Sequence, residues 1–269
     1  ETASSDADKA LALRNIAFMR DASDNEDGAI EALEQARQYL EEGTYEFIEN
    51  ETDIASFKEQ PEDAAKGYIK LAEMVDDPIE KANNYYYAAM EYEDLEDTDK
   101  AVEFYRLSGS YYPETSGERY DAYAQAEWEL ENSAGIKEYL EKGYEVAPTD
   151  IYLLDTYGHF LNGISLSSYE HQDLEKALKV NTEALELSLD DESLETLAFT
   201  YLLMGDEDKF NELVSQMNSF WTPDDHSWVA KIYHRIGNVE KAEYHKQIAV
   251  EGGEWQDTDE EFYSLVFSE

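Results

Sequence analysis

One spacing recurs along this 269-residue chain and leaves little freedom in how it can fold. Between Asn83 and Pro113, Tyr85, Ala88, Ala89 and Tyr92 form a stripe at helical spacing. An acidic turn follows from Glu93 to Asp99. A second stripe runs through Ala101, Tyr105 and Ser108, and Pro113 stops it, because proline cannot continue a helix. Ala89 and Ala101 lie twelve positions apart and are small enough to let two antiparallel helices approach closely. The same step of twelve joins Ala17 to Ala29, Ala124 to Ile136, Ala198 to Phe210 and Ala230 to Ala242. It stretches once, from Gly158 to Ala177, where seven extra residues lie within Gly163–His171. Residues 44–78 are a degenerate unit: Ala65, Ile69 and Ala72 mark a second helix before Pro78, while the first helix, around Tyr45–Phe57, matches poorly.

Sparse proline and glycine, 5 and 13 residues, fit long helices joined by short turns, and no alternating Val/Ile/Thr run argues for strands. The chain carries 64 Asp and Glu against 20 Lys and Arg, a net charge of −44, which repels both nucleic-acid phosphates and anionic membrane surfaces. Hydrophobic residues make up 42% and aromatic residues 13%, enough to build a core despite that charge. With no cysteine, disulfides, thiolate metal sites and cysteine nucleophiles are excluded. No apolar run is long enough to span a bilayer. The start at Glu1-Thr2-Ala3-Ser4-Ser5-Asp6, without Met, reads as a mature exported N-terminus or a trimmed chain. The expected location is exported, periplasmic or extracellular, with a lipid tether as one form of it; the alternative is cytoplasmic.

Tyr85-x2-Ala88-Ala89-x2-Tyr92 with Ala101 and Pro113, and Leu194-x2-Leu197-Ala198-x2-Tyr201-x3-Gly205, resemble the tetratricopeptide repeat (TPR) family. The resemblance covers about 10–256. It implies an all-α fold, an α-solenoid of antiparallel helix pairs, in about seven units: 10–43, 44–78, 82–115, 116–150, 151–189, 190–222 and 223–253. Residues 1–9 are expected to be a flexible leader. Residues 257–269, in which Phe262, Leu265 and Val266 share a face, are expected to be a short capping helix over the last unit.

In proteins of this family the first helix of each pair lines a concave binding face. Carried over residue by residue, the resemblance places Tyr86, Met90, Asp121, Gln125, Trp128, Tyr152, Asp155, His159, Glu195, Phe199 and Lys231 on that face. A mixture of aromatics and carboxylates suits a peptide or protein partner that is basic or neutral and carries apolar anchors. Some TPR proteins clamp a terminal carboxylate with Lys, Arg and Asn. Here the matching positions are mostly acidic or aromatic, and only Lys231, His234 and Arg235 form a basic group, expected to pair with acidic neighbours.

Other motifs are weaker. Ser23-Asp24-Asn25-Glu26-Asp27-Gly28 echoes a calcium loop, but Ser23 stands where the first ligand should be Asp, and an inter-helix turn explains it as well. His234 and His245 lie in successive helices without further metal ligands. Phosphate-binding loops and nucleophile elbows are absent. The expected function is therefore a non-enzymatic interaction scaffold or adaptor, with no catalytic residues, metal or cofactor. The alternatives are a small-ligand or cation sensor or carrier, and an accessory helical domain of an enzyme.

Overall fold

In the computed structural model the described residues are 5–255, apart from 22, 24, 164–170 and 218–219. They form fourteen α-helices and no strand: α1 Asp6–Asp21, α2 Glu26–Ala36, α3 Tyr45–Phe57, α4 Pro61–Met74, α5 Pro78–Asp94, α6 Thr98–Tyr111, α7 Gly117–Glu129, α8 Ser133–Val146, α9 Ile151–Asn162, α10 Leu174–Leu187, α11 Asp191–Leu203, α12 Glu207–Val214, α13 Pro223–Arg235 and α14 Val239–Gly252. Two compact units divide the chain. The first comprises Glu1–Glu114 with Gln125–Leu130, the second Thr115–Ala124 with Glu131–Glu269. The proposed capping helix at 257–269 lies outside the described residues, as does most of the insertion at 164–170. Among the described residues no helix is long and apolar enough to cross a membrane.

Six of the seven second helices start in the same way, the exception being α4, whose N-cap Gln60 makes no side-chain bond. An Asp or Asn side chain accepts the amide proton three residues ahead: Asn25 from Gly28, Asp97 from Lys100, Asn132 from Gly135, Asp173 from Lys176, Asp206 from Lys209 and Asn238 from Lys241. In five turns, that before Gln60 included, the residue just before the N-cap position is left-handed: Glu59, Glu96, Glu131, Gly205 and Gly237. That conformation lets the cap's own N–H reach back to a carbonyl five residues earlier, as from Asp97 to Tyr92 (2.9 Å), Asp206 to Tyr201 (2.8 Å) and Asn238 to Tyr233 (2.8 Å).

The turn sets the spacing. The residue seven positions before the left-handed residue meets the residue four after the cap, and this is the twelve-step pair. Ala17, Ala29, Ala89, Ala101, Ala124, Ile136, Ala198, Ala230 and Ala242 are all 0% exposed, and Phe210 is 1% exposed. Counting from Glu59 in the degenerate unit gives Thr52 and Ala64, both buried. Threonine hid this pair from the sequence pattern. Its hydroxyl is satisfied within the helix by Ile48 O (2.8 Å), and Gly67 opposite leaves room for it.

α1 begins inside the segment read as a leader. Ser5 and Asp8 cap it reciprocally, Ser5 N–H donating to Asp8 Oδ2 (2.9 Å) and Asp8 N–H to Ser5 Oγ (3.1 Å). In the first unit the small contacts are flanked by a column of rings. Tyr111, Tyr85, Phe104 and Tyr92 stack in sequence at 5.8, 5.9 and 5.5 Å between centroids. Lys81 and Lys100 lie over its ends, 5.6 Å from Tyr111 and 4.5 Å from Tyr92. The core of the second unit is richer in large side chains, with Leu194, Phe199, Leu202, Phe210, Val229 and Tyr233 packed together across α11, α12 and α13.

Where the insertion stretches the step, Gly158 faces Asn181 instead of a small residue. Asn181 Nδ2 donates to Thr200 Oγ1 (2.8 Å), and Thr200 Oγ1 bonds Asn162 Oδ1 (2.8 Å). Asn162 Nδ2 in turn donates to Thr196 O (3.1 Å). This buried polar network joins α9, α10 and α11.

Two consequences follow for stability. Glu96→Gly removes left-handed strain from a turn and should raise the unfolding free energy by about 0.5–1 kcal/mol, whereas Gly205→Ala should lower it by about 1 kcal/mol. Chemical denaturation of the two variants checks both signs. A β-carbon at Gly158 would collide with the Asn181 amide, so Gly158→Ala should cost about 2–4 kcal/mol by displacing Asn181 from its hydrogen bonds. The same assay should find much of that loss recovered in Gly158→Ala/Asn181→Ala.

Candidate functional site

Within the second unit the first helices form a layer: α11 packs against both α9 and α13, and α9 is joined to the first half of α7. Polar side chains recur along this layer because each first helix presents a carboxylate or hydroxyl to the next. Thr156 Oγ1 donates to Asp121 Oδ1 (2.7 Å) and Ser193 Oγ to Asp155 Oδ1 (3.3 Å). His159 Nε2 lies 3.0 Å from Thr196 Oγ1, whose hydroxyl also reaches Glu192 O (3.1 Å).

Burial dominates the electrostatics here. It pushes Asp155 up to about 7, with the charges of Glu192 and Asp190 adding to it. Glu195 also rises to about 7, through burial and then Asp225, Asp224 and Glu192. Asp150, the N-cap of α9, is pushed to about 6 by burial and by a hydrogen bond with Glu118. Burial alone brings His159 down to about 4, so its ring is neutral at pH 7. The layer thus holds carboxyl groups poised between their charged and neutral forms, beside the open ring of Tyr152, which is 69% exposed.

The expected face residues fall into distinct environments. Tyr152 is open. His159 and Glu195 are half-buried, while Asp121 and Asp155 are buried within the layer. Phe199 is a core residue and not a surface anchor: it is 1% exposed and packs on Phe220 (6.3 Å between rings). Lys231 is also buried, with its ammonium 3.8 Å from the Trp228 ring centroid. Arg235 donates to Gly163 O, so this end of the basic group is spent on the backbone that closes α9. The remaining four residues belong to the first unit. Tyr86 packs edge-on against Tyr105 (5.1 Å), Met90 is exposed, and Gln125 and Trp128 are half-buried.

Other residues of interest, Arg14 and Glu93 among them, show their partners only in the structure. Trp228 sits three positions before Lys231, a helical spacing that marks the pair once Lys231 is known to face inward. In the first unit, burial and a neighbouring Glu129 raise Glu93 to about 7 even though Tyr105 OH donates to it. Arg14 is held between Glu49 and Asp53 (2.8 Å to Asp53 Oδ2). His245 pairs with His226 and not with His234. Asn25 of the apparent calcium loop caps α2.

The raised carboxyl groups bind more protons in the folded than in the unfolded chain between about pH 4 and pH 7. Their favourable share of stability is full at the acid end and is lost as pH rises through about 7. Asp155→Asn, which mimics the protonated form, should therefore stabilise the protein at pH 8 by roughly 1–3 kcal/mol and by only about a third as much at pH 5. Denaturation curves at the two pH values decide this; an equal effect at both would remove the burial argument.

Solved structures share this helical-repeat fold at low sequence identity. A tetratricopeptide repeat protein from Parabacteroides merdae matches with a TM-score of 0.56 at 15% identity, over 97% of this chain and 99% of that one. The apo form of RapI matches at 0.62 and 14% identity, over 91% and 97%. A chain of the APC/C hetero-tetramer Cut9–Hcn1 matches at 0.63 and 15%, over 97% of this chain. The present chain spans about half the length of that last one, 49%. No family profile and no curated protein matches the sequence. At such identities the likeness speaks for architecture, and the architecture is an all-α helical repeat of the tetratricopeptide type.

Proposed function

We propose that this protein is a non-enzymatic interaction scaffold, and that the first-helix layer of its second unit holds a basic or neutral segment of a protein partner. The observation that carries this reading is the row Asp155, Glu192 and Glu195, crowded and partly desolvated, beside exposed Tyr152. Each of these carboxyl groups is raised by burial and by like-charged neighbours. A cation brought alongside relieves that repulsion and restores the charged form, so a Lys or Arg side chain gains more here than on an ordinary solvated face. Tyr152 supplies a rigid apolar contact next to that charge. Helical-repeat architecture supports the reading at the level of fold, and one similar structure, Cut9–Hcn1, is a hetero-tetramer. An exported setting is part of the same proposal; it rests on a coat of charge whose self-repulsion is lessened by salt.

A short peptide alternating Arg and Tyr is a suitable probe, titrated by calorimetry at low and moderate salt. Tyr152→Ala and Glu195→Gln are each expected to weaken binding by about tenfold, while Glu138→Gln on α8 leaves it within about twofold. Equal losses in all three variants would show diffuse attraction to an acidic surface and not a site. Binding at the layer should also take up fewer protons than it releases when followed near pH 7.

A further inference from the structure

The end of the second unit holds a group of rings that the interaction layer does not use. Trp221, between α12 and α13, has a left-handed backbone (φ +80°), which a large side chain adopts only where its surroundings hold it. Its ring stacks on His245 of α14 (5.3 Å, 21°) and tilts against His226 of α13 (5.0 Å). Tyr233 stacks on the same His245 (5.5 Å, 23°). The two imidazoles are joined edge to edge, with His226 Nδ1 2.7 Å from His245 Nδ1, and both residues are buried. Beside them opens a cavity of about 480 Å³, bordered by Glu207, Asn211, Trp221, Tyr244 and the histidine pair.

A hydrogen bond between two Nδ1 atoms fixes the proton count. One ring donates Nδ1–H and the other must present a bare Nδ1. A first extra proton can go to Nε2 of the donor ring and leaves this bond intact. A second has to occupy the accepting Nδ1, which removes the acceptor and sets two cations face to face. We propose that the His226–His245 pair is a proton-operated latch: it holds Trp221 against the last helix pair with at most one net positive charge, and double protonation unseats Trp221 and opens the adjoining cavity. This inference is independent of the interaction layer.

The surroundings oppose the second charge. Burial lowers both imidazoles, and His245 is brought down to about 4 by burial, by His226 and by Lys241. Asp225 on α13 favours charge on His226. On α12, Glu207 faces the group but is already paired with Lys241 of α14. Tyr233 and Tyr244 present uncharged rings. The folded pair therefore binds fewer protons than the unfolded chain below the ordinary histidine value of about 6.5, and its contribution to stability is lost as pH falls from there toward 4.

The test is a pH titration of the full chain with ¹⁵N-labelled histidine, read by NMR, with tryptophan emission compared between the wild type and Trp221→Phe. The two rings are expected to titrate in steps at least about tenfold apart in proton concentration. The Trp221 emission should change with the second step only, while far-UV circular dichroism still reports folded helices. A single step near pH 6.5 for both rings, or Trp221 emission that ignores the second proton, would overturn the latch. His226→Asn keeps a side-chain amide near the position of Nδ1 but cannot become charged. In that variant His245 should protonate at a proton concentration about tenfold lower than in the wild type, with no sharp Trp221 transition. If His226→Asn does not fold, the wild-type titration decides alone.

Discussion

The closing contact between two helices at a pair of small side chains is the interaction on which the other features depend. Ala89 against Ala101 and Ala230 against Ala242 have no exposed surface, and backbones can come this close only because neither residue carries a longer side chain. That closeness fixes where the turn must reverse, so a left-handed residue and an Asp or Asn cap occur at set distances from the pair. Where the second partner is larger, as with Ile136 and Phe210, the first is still alanine, Ala124 and Ala198, so each of these pairs keeps at least one small residue. The chain respects the constraint even where its chemistry changes, since Thr52 fits by bonding its own helix and facing Gly67.

A chain of charge −44 has to store that charge somewhere, and the structure shows three means. Asp side chains cap helix starts, where they meet unpaired amide protons and the positive end of the helix dipole. The few cations are laid across rings at the inter-helix turns: Lys100 over Tyr92, Lys176 over Tyr157 and Lys241 over Tyr233, at 4.5, 4.9 and 4.9 Å. Tyr92-x7-Lys100 and Tyr233-x7-Lys241 share a spacing, so the turn that sets the helix contact also sets this one. Lastly, carboxyl groups such as Glu93, Asp155 and Glu195 are pushed toward neutrality, so the net charge at pH 7 is smaller than the formal count. Acid and base then act on different parts: the carboxyl layer favours mild acid, whereas the histidine pair favours neutral pH.

Much of this was legible in the residues. Step, turn and cap are local, separated by at most a dozen positions, and helical periodicity carries them directly into the sequence. That is why the helix pairs could be placed from Ala17 to Ala242. The site was legible only as a set of positions facing one way. Asp155 and Glu195 look like ordinary solvated carboxylates in the sequence, and their raised values come from burial between α9, α11 and α13. Phe199 looked like an anchor because it shares a helix face with Glu195. Its ring instead meets Phe220, twenty-one residues away, which no local pattern announces.

By itself the sequence determined an all-α repeat, its unit length and its acidic exterior, since each follows from spacing and composition along one chain. Tertiary structure alone decided which polar groups became buried and which rings met. His226 and His245 lie nineteen positions apart on different helices, and neither shows in its neighbours that their Nδ1 atoms will share a proton. The physical reason is the range of the forces: helix formation and capping act between near neighbours, while desolvation and hydrogen bonds between helices depend on packing that brings distant residues together.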